Sequence, residues 1–76
     1  MNKSRKAKID RVIKKLEQIQ AEIREIEKEE DDSYYNLSLR TQLSDKGMDI
    51  QYRVSQISCA ADFIDVVCAT LEDAEA

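Results

Sequence analysis

Histidine, proline and tryptophan are absent from this 76-residue chain, which has one glycine and two cysteines. Without histidine there is no zinc site of the usual Cys/His type. There is also no imidazole base to activate a serine or cysteine nucleophile. No Gly-rich loop is present to cradle a phosphate. The expectation is a non-enzymatic protein with no catalytic residues, no cofactor and no bound metal. Without proline, and almost without glycine, the chain has little with which to break a helix. A long uninterrupted apolar run is lacking as well. The most apolar stretch, Ile57 to Leu71, is broken by Asp62 and Asp65, which reads against a membrane span. No apolar stretch follows the basic N-terminal residues, so no secretory signal is expected. Cys59 and Cys68 are nine positions apart on what reads as one helix, or about 13 Å of rise. A disulfide needs Cα atoms within roughly 4.4–6.8 Å. Both thiols are therefore expected to be free, which fits a reducing cytoplasm, and to act as small hydrophobes, Cys59 the more exposed.

What the chain does have is heptad spacing. Ile9, Val12, Leu16, Ile19, Ile23 and Ile26 fall at intervals of 3-4-3-4-3, one apolar seam along a helix. This helix is expected over about residues 4–31, with Asn2 or Ser4 as its N-cap. Asp31-Asp32-Ser33-Tyr34-Tyr35-Asn36 reads as its end or a kink, because Asp, Ser and Asn compete for backbone hydrogen bonds. One of the two tyrosines is expected to cap the end of the core. A connector over about 32–44 follows. In it Leu37, Leu39 and Leu43 are expected to close the hairpin, and Ser44 is the expected N-cap of the next helix. That helix, over about 45–73, carries Ile50, Ile57, Ile64 and Leu71 at intervals of seven, with Val54, Ala61 and Val67 beside them. Large and small residues alternate, which lets a neighbouring helix approach closely. Phe63 and Val66 lie outside that seam and argue for a second contact.

The fold expected is thus all-α: residues 1–76 form one antiparallel helical hairpin, two long helices with a short helical connector. A domain this small buries only about 60% of its unfolded surface and usually needs a staple or a partner. The expected partner is a second copy, giving a homodimeric four-helix bundle, with an unidentified protein bound to its outer surface.

Charge is distributed unevenly. Residues 1–15 hold seven basic and one acidic residue, residues 16–32 two basic and eight acidic, and residues 33–76 three basic and seven acidic. The first helix is therefore basic at its start and acidic at its end, the reverse of what the macrodipole favours. In a hairpin, the acidic end of the second helix (Glu72, Asp73, Glu75) would lie beside that basic start and help select the register. The acidic run Glu25, Glu27, Glu29, Glu30, Asp31 and Asp32 reads as a solvated helix face, since it lacks the alternating oxygen ligands and turn glycine of a calcium loop. Lys8, Arg11 and Lys15 share a face read as opposite the isoleucine seam. They are candidate nucleic-acid-binding residues, through phosphates. With no aromatics interleaved to stack bases and a pI near 4.8, nucleic acid ranks behind protein as the partner.

Tyr34, Asn36, Leu37, Gln42, Ser44 and Gly47, followed by Ile50, Val54, Ile57 and Ala61, resemble the shared stretch of a group of small helical proteins of Gram-positive bacteria and their phages and prophages. Ser38 stands where that group has proline, and Leu39-Arg40-Thr41 replaces its Glu-Ser-Leu. The resemblance implies a helical hairpin and brings no site residues. Its phage setting suggests a regulator or inhibitor of a host protein.

Overall fold

The computed structural model describes every residue from Met1 to Ala76. Three helices follow one another: α1 (Lys3–Tyr35), α2 (Leu39–Gln42) and α3 (Asp45–Glu75), with no strand. The two long helices lie antiparallel in a rod 58 × 15 × 11 Å. The all-α hairpin expected from the sequence is the architecture observed.

α1 begins at Asn2, whose side chain accepts from the Arg5 backbone N–H at 2.8 Å; this satisfies one of the orphan donors of the first turn. At its other end α1 runs four residues past the expected stop. Ser33 does compete for a backbone acceptor, but within the helix: its hydroxyl donates to the Glu29 carbonyl at 3.0 Å. Tyr34 is half-buried, and its ring meets that of Tyr35 edge-to-face with centroids 5.3 Å apart. Packing of this last turn overrides the turn propensity of Asp31-Asp32-Ser33.

The connector closes differently from the expectation. Leu37 is half-buried, but Leu39 and Leu43 are 77% and 84% exposed. Polar bonds do the closing. The Gln42 side-chain amide donates to the carbonyls of Tyr34 (3.3 Å) and Leu37 (3.1 Å). Gly47, buried in the first turns of α3, lies against the backbone of Gln42. A Cβ there would overlap the Gln42 carbonyl oxygen and come within 2.5 Å of its carbonyl carbon. Ser44 occupies the N-cap position of α3 without capping it. Its hydroxyl instead donates back to the Thr41 carbonyl.

The core is thin. Ile13, Ile50 and Ala61 are the buried hydrophobic residues, and four of 76 residues are buried in all. Ala61 is fully buried, so a methyl group at the middle of the seam sets how closely α1 and α3 approach.

Candidate interaction surface

The isoleucine seam of α1 divides in two. Ile9, Leu16 and Ile23, seven apart, are half-buried. The residues that continue the contact with α3 lie to one side of them: Ile13, which is 6% exposed, then Gln20, Glu27, Glu30 and Tyr34. The other half of the seam turns away from α3. Val12, Ile19 and Ile26 are 46%, 46% and 50% exposed. They sit roughly 80° around the helix from the line that faces α3, given 3.6 residues per turn.

Polar cross-links mark the opposite side of the hairpin. Gln20 donates from one amide nitrogen to the Ala61 carbonyl (2.8 Å) and to the Asp65 carboxylate (2.7 Å). Arg24 donates to Asp62 at 2.8 Å and to Glu27 at 2.9 Å. These bonds to two carboxylates hold the Arg24 guanidinium's pKa above its ordinary value. On the side of Val12, Ile19 and Ile26 the only ion pair is Arg53 with Glu30, at 3.2 Å near the connector. The side chains of α3 that leave its seam in the same direction include Val67, 44% exposed, and at the rim Phe63, 67% exposed. One side of the hairpin is thus latched by polar groups; the other exposes Val12, Ile19, Ile26, Val67 and Phe63, with one ion pair near the connector. Tyr52, Cys59 and Val66 lie on the outer back of α3, all exposed. By length and composition α3 is apolar enough to cross a membrane. Both aspartates that interrupt it, Asp62 and Asp65, are bonded to α1.

The basic end is unpaired. None of the seven cations between Lys3 and Lys15 forms an ion pair; the three ion pairs present involve only Arg24 and Arg53 as cations. The expected pairing of this end with Glu72, Asp73 and Glu75 is therefore not made through direct contacts. Two carboxylates meet there instead. Glu75 faces Asp10, which with partial burial raises the Glu75 pKa above its ordinary 4.5. Lys8, Arg11 and Lys15 are exposed, but they border the Val12–Ile19–Ile26 stripe rather than lying opposite it. In the acidic run, Glu27 and Glu30 are half-buried and ion-paired; Glu25, Glu29, Asp31 and Asp32 are solvated.

A shallow groove of about 340 Å³ lies beside the connector, lined by Asp31, Tyr34, Tyr35, Gln51, Val54 and Ser55. No three carboxylate or thiol side chains converge where they could hold a metal ion. Both cysteines are free, Cys59 exposed and Cys68 half-buried. Burial, with Glu17, Glu72 and Asp65 nearby, pushes the Cys68 thiol pKa up, which makes it a poor nucleophile.

Sequence reasoning missed Ile13, Gln20 and Arg24 as contact residues. The signal was present: Ile9, Ile13, Leu16, Gln20, Ile23, Glu27, Glu30 and Tyr34 also follow heptad spacing. Three of its members are polar, so the all-apolar seam beside it stood out more.

Comparison with protein-family models, with curated proteins and with solved structures gives no match.

Proposed function

We propose that this chain is a non-enzymatic protein–protein interaction module that works as a homodimer, two hairpins closing into a four-helix bundle. The observation that carries the reading is the surplus of exposed surface. The chain exposes 5894 Å², whereas a compact monomer of its mass would expose about 4,800 Å². Its radius of gyration is 17.4 Å, against about 11 Å for a compact domain of this length. The excess, about 1,100 Å², exceeds the roughly 800 Å² that each partner contributes to a standard stable interface. The apolar face supplies the chemistry for that burial. A bundle formed this way leaves its outer surfaces to engage another protein, as a regulator or inhibitor of a bacterial host protein in the cytoplasm would. Sedimentation equilibrium tests the assembly: a dimer is expected at micromolar concentration, and a well-folded monomer at hundreds of micromolar refutes it.

One observation favours a second reading, a nucleic-acid-associated bundle. The cations at Lys8, Arg11 and Lys15 are exposed and unpaired and so are free to meet phosphates. This reading requires steeply salt-dependent binding to duplex or single-stranded nucleic acid, and loss of that binding in a Lys8→Glu/Arg11→Glu/Lys15→Glu variant. Binding that persists in the triple variant rules it out.

A further inference from the structure

We infer that the exposed stripe of α1 is a self-complementary seam that joins two copies of the chain antiparallel, α1 against α1, about a two-fold axis at Ile19. The inference rests on the dimer reading above and specifies its geometry. α1 spans Lys3–Tyr35, so Ile19 is its midpoint, sixteen residues from either end. Val12 and Ile26 stand seven residues before and seven after it. A two-fold axis through Ile19 therefore sets Ile19 on the partner's Ile19 and Val12 on the partner's Ile26. All three are about half exposed in the single hairpin.

The charged row beside the stripe fits the same axis. Lys8, Lys15, Glu22 and Glu29 recur every seven residues, all exposed, and none is ion-paired within the chain. Their order is two cations and then two anions. Reversal about Ile19 brings Lys15 to the partner's Glu22 and Lys8 to the partner's Glu29. Each match is within one residue, a gap that long side chains span. Symmetry doubles the set to four ion pairs. This is the pattern by which flanking charges set orientation in paired helices.

The same axis treats α3 consistently. In the hairpin, Gln20 meets Asp65, so the level of Ile19 on α1 falls near Asp65 on α3. Phe63 and Val67 flank that level by two residues each way, and the axis sets Phe63 on the partner's Val67. Stacking the hairpins parallel would instead lay α1 on the partner's α3. There the corresponding outer row is Gln56, Phe63 and Thr70, which offers no charge to either the lysines or the glutamates.

Spin-label distances in the dimer test this. In a Cys59→Ser/Cys68→Ala background, one label is placed at Gln18→Cys and, separately, one at Ser33→Cys. Antiparallel α1 pairing predicts a short 18-to-18 distance, under about 20 Å for neighbouring helices. It predicts a 33-to-33 separation of about 42 Å, the rise of 28 residues. A dimer with a short 33-to-33 distance overturns the orientation and leaves the dimer reading standing. A dimer with an 18-to-18 distance above about 30 Å overturns the choice of α1. A monomer overturns both readings. A second measurement keeps the native cysteines: Lys15→Glu should weaken the dimer roughly tenfold at low salt, and Lys15→Glu/Glu22→Lys should restore it. A double variant as weak as the single one overturns the register.

Discussion

Arg24 donates to Asp62 at 2.8 Å across the two long helices while its other terminal nitrogen holds Glu27 at 2.9 Å, in the next turn of its own helix. One guanidinium thus ties α3 to α1 and orients a neighbouring carboxylate. Yet Arg24 is 41% and Asp62 66% exposed at the side chain, so water screens the pair. Asp62→Asn is expected to cost at most about 1 kcal/mol, and half a molar salt should erase most of that difference. Urea unfolding of both proteins at low and high salt measures it. A loss above about 2 kcal/mol that survives high salt would show that the contact is buried in an assembly.

Gly47 sits inside a helix with ordinary negative φ, where replacement by alanine would normally gain about 0.5–1 kcal/mol. Here the opposite is expected. The Gln42 backbone occupies the space a Cβ would need, so Gly47→Ala must push α2 away from α3. The expected loss is about 1–3 kcal/mol, with amide protection lost first around Thr41 to Ser44. A stabilised Gly47→Ala protein would contradict the close packing of the connector.

The hairpin itself was legible in the sequence, because heptad spacing and helix-forming residues persist over both long segments. The side of α1 that meets α3 was less so. The seam from Ile9 to Ile26 reads as a single contact line, but it straddles the boundary between a covered and an open face. Ile9, Leu16 and Ile23 serve the hairpin, whereas Val12, Ile19 and Ile26 do not. Periodicity reports which residues share a face and not how many neighbours that face has. The covered line was concealed because Gln20, Glu27 and Glu30 occupy it, their polar ends meeting Ala61, Asp65, Arg24 and Arg53. The connector's closure is hidden for a related reason: Leu39 and Leu43 read as core residues but are exposed, and the Gln42 amide and the missing side chain of Gly47 hold the turn.

Glu75 faces Asp10 where the chain ends meet, and its pKa is raised mainly by that carboxylate, then by partial burial. A carboxyl group with a folded pKa above its unfolded value binds more protons in the folded state. Its contribution to stability is therefore complete below the unfolded pKa and is lost as pH rises through the folded one. Acidification from neutrality through the raised Glu75 pKa should tighten the contact between the start of α1 and the end of α3. Carbon-detected NMR titration of the Glu75 carboxyl reads this directly. The titration should move back toward the ordinary value in Asp10→Asn, and a wild-type midpoint at or below 4.5 contradicts the contact.

Ile13 and Ile19 lie less than two turns apart on α1 and separate the two kinds of packing. Ile13 is 6% exposed and belongs to the hairpin core; Ile19 is 46% exposed and belongs to the open face. Ile13→Ala should lower stability by about 2–4 kcal/mol through the cavity it leaves against α3, by the same amount at every protein concentration. Ile19→Ala removes nothing from the core. Its effect should be confined to the concentration-dependent part of stability, because only an associated state covers that side chain. In the proposed dimer the dissociation constant should rise at least about tenfold, since two copies of the residue are lost at one contact. Thermal unfolding across a hundredfold concentration range distinguishes the two variants. If Ile19→Ala unfolds like the wild type at every concentration, the open face of α1 is not where two copies meet.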